Sequence, residues 1–476
     1  MSQKLLVNTL IYGGGDFLVK FIAFLLFPLI AASLAVEEFG VLELLLTVVG
    51  LLGFVVRCGI NNSVQRYYWD AEAEHYQEIL LSTAFVLLVV FSLASVIFSA
   101  VLYPLLPFFS KSINFNVETV AFFSVVGLVF TSQPLQFFLD ILRLKFMHWR
   151  FIGFNVFSRV CTVVLALLVV LNTDLGVNGY LLALFVATLV TLPVGYLLSG
   201  RVSFVKFDFE WARKILVFGY PFIAMEMAYW LFSSMDRWML ASIAGVEQTG
   251  VFAVAARFSM VVMFVSTAFG MAWSPFAIKY KTENPQSYKR FYAEVFIVFL
   301  FVLLCVAFMV SLFSKEVIYL LMPDDYAGSV NVLVVLSFCA VVQGAQQLAA
   351  AGISLEKKTY LLARLAWVAA GINFILNYLL IEKFGASGAA VASLIASGFL
   401  TVSYFYCSQR LHYLPFPWWR ILWLIAVAVF AFAVSIHLSV EAVTVELAIC
   451  KFIGFMGLVV LMGLSIFSSL RYLVRM

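Results

Sequence analysis

The sequence predicts an all-α integral membrane protein of about fourteen transmembrane helices: two pseudo-symmetric six-helix lobes and two further helices at the C-terminal end. Three observations predict it: the composition, the recurrence of apolar runs long enough to cross a bilayer, and the segregation of the cations between them. Hydrophobic residues fill 64% of the 476 positions and charged residues only 11%, where water-soluble domains carry about 25% charged residues. A soluble enzyme is thereby excluded. With Lys+Arg 29 against Asp+Glu 25, a net charge of +4 and no basic block, so are a disordered chain and a nucleic-acid binder.

A hydrocarbon layer about 30 Å thick takes roughly 20 helical residues at 1.5 Å each. Apolar runs of that size fall at 10–34, 40–60, 79–103, 119–139, 151–171, 177–199, 215–243, 250–274, 291–313, 329–351, 361–381, 387–407, 420–440 and 446–468. The first is read as a retained span, because Asp16 and Lys20 interrupt what would be the apolar stretch of a signal peptide. The second is broken and the seventh is long. Lys and Arg in short loops stay on the cytoplasmic side. With the N-terminus inside, the inner loops collect Arg143, Lys145 and Arg150, the stretch Arg201 to Lys214, Lys279 to Arg290, and Lys357, Lys358 and Arg364. The outer loops hold only Lys111, Lys315 and Lys383. Both termini are therefore expected in the cytoplasm. No loop is long enough for a separate extramembrane domain, so the chemistry must lie between helices.

The chain also repeats itself. Val36-Glu37-Glu38-Phe39-Gly40-Val41 after the first span returns as Val246-Glu247-Gln248-Thr249-Gly250-Val251 after the seventh, an offset of 210. Gln133 and Gln136 return at the same offset as Gln343 and Gln346, and Gly176-Val177-Asn178-Gly179 returns one residue out of step as Gly385-Ala386-Ser387-Gly388. The expected organisation is an N-terminal lobe over 1–200, a cytoplasmic linker over 201–214, a second lobe over 215–409 and two extra helices over 410–476. Six is even, so both lobes enter the membrane in the same sense, as in transporters built from parallel repeats. The six cysteines are scattered through apolar stretches without Cys-x-x-Cys or nearby His; they suggest neither a disulfide framework nor a metal site, and no cofactor is expected.

Glu37-Glu38-Phe39-Gly40, Asn61 to Gln65-Arg66-Tyr67-Tyr68, Ser234-Met235-Asp236-Arg237-Trp238-Met239-Leu240 running into Gly245 to Gly250 and Val251-Phe252-Ala253-Val254-Ala255, and Phe384-Gly385-Ala386-Ser387-Gly388-Ala389-Ala390 resemble the polysaccharide transporter family. This is the O-antigen-type oligosaccharide flippase family, within the superfamily that also holds multidrug extrusion antiporters and lipid II flippases. The resemblance covers nearly the whole chain and is specific for the family, not for the glycan. It implies a multi-pass protein of a bacterial cytoplasmic (inner) membrane. Such a protein carries a polyprenyl-pyrophosphate-linked oligosaccharide, the repeat unit of an O-antigen, capsule or exopolysaccharide, from the inner to the outer leaflet by alternating access. The partners implied are the lipid-linked oligosaccharide, membrane lipid, and a glycan polymerase and glycosyltransferases of the same pathway. Nucleic acid is not among them.

Seven ionisable residues fall well inside predicted spans: Asp16, Lys20, Arg159, Glu226, Asp236, Arg237 and Arg257. Each costs about 2.5 to 3.5 kcal/mol at a helix centre, so each should face protein or water. Arg237 lies eight residues before Gly245 and Arg257 seven after Gly250, which on a helical hairpin sets them at similar depth, about 10 to 12 Å from its end. Guanidinium forks match phosphate oxygens. Arg257, Arg237, Lys20 and Arg159 are therefore candidates for a cationic cavity between the lobes that receives an anionic head group. The structural alternative is mutual neutralisation, with Asp16 and Lys20 paired four residues apart and Asp236-Arg237 a packing element. Asp16 and Glu226 are related by the 210-residue offset; with Asp236 they are candidates for binding a coupling proton or sodium ion. Gln133, Gln136, Gln343, Gln346, Asn373 and Asn377 lie at helical spacing, where amides either contact sugar hydroxyls or pin helix to helix, the commoner use. The competing readings are a multidrug or cation antiporter, which would favour an acidic cavity, and a polytopic glycan polymerase or glycosyltransferase, which would need larger outer loops. A transporter and not an enzyme is expected.

Overall fold

The computed structural model describes residues 20–73, 76–105, 118–200, 202, 206–356, 358, 360–439 and 444–474. Among them there is no strand, and helices account for nearly everything. In chain order they are α1 (Lys20–Ala32), α2 (Val36–Arg57), α3 (Ile60–Ala73), α4 (Gln77–Leu102), α5 (Thr119–Leu144), α6 (His148–Asn172), α7 (Gly176–Ser199), α8 (Phe209–Ile243), α9 (Val246–Glu283), α10 (Tyr288–Leu312), α11 (Ser314–Leu321), α12 (Ser329–Ala349), α13 (Ala351–Leu355), α14 (Tyr360–Leu411), α15 (Trp418–Leu438) and α16 (Val445–Val474).

Twelve of these are long and apolar enough to cross a membrane. One of the twelve, α14, is 52 residues long because two helices meet in it at Gly385, whose φ of 53° and ψ of −133° are not helical. Divided there, it supplies both the eleventh and the twelfth predicted spans. The first predicted span is described only over Lys20–Ala32. The all-helical membrane architecture is thus the one the apolar runs predict. Two helices were not legible as spans. Amphipathic α3, with Asn61, Asn62, Gln65 and Arg66 among Ile60, Val64 and Tyr68, and the eight-residue α11 are too polar or too short for a ruler of about 20 apolar residues.

The described residues pack as two compact units, one ending at Glu247 and the other beginning at Gln248. The first contains α1 to α8. Its core is built where α3, α4, α5 and α8 meet, around Ile60, Tyr68, Leu80, Leu88, Phe137, Phe138 and Ile215. Helix α8 is held to α2 by the two indoles Trp230 and Trp238, which donate to the backbone carbonyl (2.9 Å) and the hydroxyl (2.8 Å) of Thr47. This packing groups the seventh span with α1 to α7, one helix beyond the boundary that the sequence repeat suggests. Its start is capped by Asp208, whose carboxylate accepts from the Trp211 N–H at 2.8 Å, one of the four orphan donors at a helix start.

The second unit contains the rest. Its core joins α10 and α12 to α15 and α16 through Phe296, Leu300, Leu304, Phe308, Phe338, Val341, Leu424, Val427, Leu458 and Met462. Two buried ion pairs add to this: Arg420 bonds Glu294 at 3.0 Å and Ser469 at 3.1 Å, and Lys451 bonds Glu316 at 2.6 Å. The two helices beyond the repeat are therefore part of the second unit's core.

The units share an internal design. Helices α2 and α9 start 210 residues apart, at Val36 and Val246. In the first unit the Glu38 side chain caps the start of α2 by accepting from the Ala35 N–H at 3.1 Å, and it lies against Gly176 (φ 51°), where a Cβ would collide with its carboxylate. In the second unit Gln248 occupies the equivalent position, accepts from the Ala386 N–H at 3.1 Å, and lies against Gly385, where a Cβ would meet its amide at 2.7 Å. Only glycine tolerates both the left-handed φ and the close approach at these two joints.

Candidate functional site

The first unit encloses a cavity of about 310 Å³ walled by α2, α5, α6 and α7. Its apolar lining is Phe151, Val49 and five leucines, including Leu46, Leu128 and Leu184; the rest is polar, with Arg143, Arg159, Asn155, Gln136 and the hydroxyls of Ser132, Ser158, Thr162 and Thr188. The polar half follows from the 3.6-residue period. Asn155, Ser158, Arg159 and Thr162 fall at i, i+3, i+4 and i+7 on α6, a single face; Asn155 and Ser158 are buried, Thr162 is half-buried and Arg159 is exposed at the cavity's mouth. On α5, Ser132, Gln136 and Arg143 repeat the pattern. Thr131 and Thr188 join α5 to α7 by a 2.6 Å hydroxyl pair.

Arg159 is the twelfth of the 25 residues of α6, which is mid-membrane for a crossing helix, and it has no ion pair or hydrogen bond among the described residues. Arg143 stands at the other end of the cavity. It approaches Asp140 at 3.9 Å and lies over the Phe151 ring at 5.2 Å. Asp140 is buried and accepts from Asn61 at 2.6 Å and Gln136 at 3.4 Å. Glu226 is half-buried in α8, and its Oε2 has no hydrogen-bond partner among the described residues.

Of the other sequence candidates, Asp16 lies outside the described residues. Lys20 is exposed at the start of α1. Arg237 is bound within its own unit: its Nε lies 3.4 Å from the buried Glu43 carboxylate and its Nη1 donates to the Ser233 carbonyl at 2.9 Å. Asp236, beside it, is buried. Arg257 is half-buried in α9, in the second unit. The cavity thus brings together Arg159 and Gln136 from that set.

The amides divide. Gln133 donates to Ser132 at 3.1 Å. Gln343 and Gln346 both reach Ser397, at 3.3 Å to its hydroxyl and 3.4 Å to its carbonyl, and so tie α12 to the second half of α14. Asn373 and Asn377 are fully buried; Asn373 bonds Ser393 at 3.4 Å across the Gly385 joint, and Asn377 donates to Asn373 at 3.0 Å. The Gln343, Gln346 and Asn373 contacts join helices, those of Gln133 and Asn377 stay within one, and Gln136 lines the cavity of the first unit.

Sequence reasoning missed four buried charges, Glu43, Asp140, Glu294 and Lys451. All lie within a few residues of a run's end, where a charge ordinarily reaches water. Two polar clusters lie outside the spans. Lys145 donates to the Ser199 carbonyl at 2.9 Å; burial pushes its pKa down, and Glu78 partly restores it. His412 bridges Tyr288 (2.7 Å) and Glu356 (2.9 Å), and its hydrogen bond holds the Glu356 carboxyl below the usual carboxylate range, with Lys281 and Lys358 adding to the effect. No group of three His, Cys, Asp or Glu side chains placed to hold a metal ion occurs among the described residues.

Known proteins resemble this chain throughout its length. The family model described as polysaccharide biosynthesis protein matches residues 5–281, more than half of the chain, and the MatE family model matches residues 221–379. The "Probable low-salt glycan biosynthesis flippase Agl15" of Haloferax volcanii is 22% identical over 402 residues, spanning 84% of this chain and 81% of that protein. The "Lsg locus putative protein 1" of Haemophilus influenzae is 23% identical over 280 residues, 58% of this chain and 66% of that protein. Among solved structures, the lipid II flippase MurJ in its inward closed conformation superposes with a TM-score of 0.69 at 13% identity, covering 96% of this chain and 98% of that one. An inward-facing multidrug resistance MATE family transporter of the MOP superfamily superposes with a TM-score of 0.62 at 17% identity, covering 81% and 93%. At these identities the structural likeness is one of fold.

Proposed function

The chain belongs to the polysaccharide biosynthesis protein family, and from that membership we propose that this multi-pass membrane protein is a flippase for a polyprenyl-pyrophosphate-linked oligosaccharide. It moves the repeat unit of a surface glycan, such as an O-antigen, capsule or exopolysaccharide, from the inner to the outer leaflet of the cytoplasmic membrane by alternating access. Glycosyltransferases that build the repeat unit and a polymerase that consumes it act before and after it.

The observation that carries this reading is the half-polar cavity of the first unit. A protein that needed only to sit in lipid would not keep a guanidinium, two amides and four hydroxyls on facing helices at membrane depth, because each is costly there. Alternating hydroxyls, amides and aliphatic walls suit a sugar ring, whose edges are polar and whose faces carry C–H groups. The flippase named for the Haloferax relative supports the same reading, and the fold shared with a flippase and a transporter is consistent with it. Ion coupling is assigned to Glu226, whose buried Oε2 has no hydrogen-bond partner among the described residues; Asp16 and Asp236 are the secondary candidates.

Reconstitution into vesicles with a fluorescent lipid-linked oligosaccharide tests the activity. Lectin or enzyme access from one side should rise in protein-containing vesicles and should respond to an imposed proton or sodium gradient. Access no different from that in protein-free vesicles would overturn the reading.

A further inference from the structure

The cavity's charge balance carries one step more, which rests on the flippase reading. At its Arg143 end, Arg143 approaches Asp140 at 3.9 Å, so that cation stands with a carboxylate. Arg159 is left over. It sits halfway along α6 and has neither ion pair nor hydrogen bond among the described residues, where a guanidinium demands a counter-charge. The surplus is a single positive charge, which one carboxylate would balance and a pyrophosphate would overshoot.

The surroundings describe the rest of the ligand. Asn155, one turn before Arg159 on α6, is buried and its side chain makes no hydrogen bond among the described residues. Gln136 and Ser132 face it from α5, and Leu46 and Leu184 form the apolar side. At about 310 Å³ the space is at the small end for ligand pockets and has room for one ring.

We propose that this cavity is a subsite for one acidic sugar of the translocated glycan, a pyranose bearing a single carboxylate, such as a hexuronate. The carboxylate pairs with the Arg159 fork, the ring hydroxyls meet Asn155, Gln136 and Ser132, and the C–H face rests on the leucines. The protein then selects for glycans that carry such a residue.

The test is calorimetric titration of the purified full-length protein in detergent with D-glucuronate, D-glucose and inorganic pyrophosphate. Glucuronate should bind at least about tenfold more tightly than glucose, the worth of one charge-assisted hydrogen-bonded pair. Arg159→Gln should reduce glucuronate binding to the level of glucose, and Arg159→Lys should fall between. Asn155→Ala keeps the charge and should weaken both sugars by a similar factor, which protects the test should Arg159→Gln fail to fold. Equal binding of glucose and glucuronate, undiminished binding in Arg159→Gln, or Arg159-dependent binding of pyrophosphate tighter than that of glucuronate would overturn the proposal. Soluble sugars report on the cavity without translocation, so failure of the vesicle assay and failure of this titration are separate results.

Discussion

Arg237 and Glu43 are far apart in the chain and 3.4 Å apart in the fold. Because Glu43 is buried, removing Arg237 strips a counter-charge from a carboxylate that water does not reach. Arg237→Ala should therefore cost about 3 to 5 kcal/mol, and the double variant with Glu43→Gln should recover part of it, read as thermal unfolding of the detergent-purified protein. A glycan-binding role for Arg237 would instead leave stability unchanged and abolish transport. At the water-exposed cluster around His412, the Glu356 pKa is depressed. The stability this contributes is complete above the ordinary Glu range and disappears as pH falls through the depressed folded-state value. The melting-temperature gap between wild type and Glu356→Gln should thus be largest above the ordinary Glu range and shrink as pH falls through the depressed folded-state value. Residue types on a helix face are legible in the sequence: the polar side chains at helical spacing on α5 and α6, Gln136 and Arg159 among them, line the cavity. Pairings were not legible, since periodicity says which face a side chain is on and nothing about which distant helix meets it. For that reason Arg237 was read as a cavity arginine without its Glu43.

Helices were legible where an apolar run exceeds the bilayer's thickness, and α4 to α7 lie within a few residues of their expected bounds. The helix α3 was not, because its apolar residues are spread along one stripe. The role of α15 and α16 was not legible either, since a pattern of lipid-compatible residues cannot distinguish a loose appendage from a core element. Their ion pairs are the place to test this. Lys451 is almost wholly buried and binds Glu316 at 2.6 Å. Lys451→Ala should destabilise the protein by about 3 to 5 kcal/mol, whereas Lys451→Met with Glu316→Leu, an apolar replacement of both partners, should be close to neutral. An unchanged melting temperature in Lys451→Ala would mean that α16 contributes little to the unit's stability.

The molecule as a whole is ordered by its cations, which gather on alternate loops. A green fluorescent protein fused after Met476 should fluoresce, and alkaline phosphatase inserted at Lys315 should be active; the reverse pattern would invert the assigned topology. The two-fold internal design has a further use. Gly176 against Glu38 and Gly385 against Gln248 are one joint made twice, with a carboxylate in one copy and an amide in the other. Alanine at either glycine should cost about 1 to 2 kcal/mol from left-handed strain alone, before any collision is counted. Any difference in transport between the two variants, compared at matched protein levels and melting temperature, then reports on the units separately. A chain that holds the same joint twice supplies an internal control for each half: the experiment that asks which unit's bending limits the transport cycle needs no second protein for comparison.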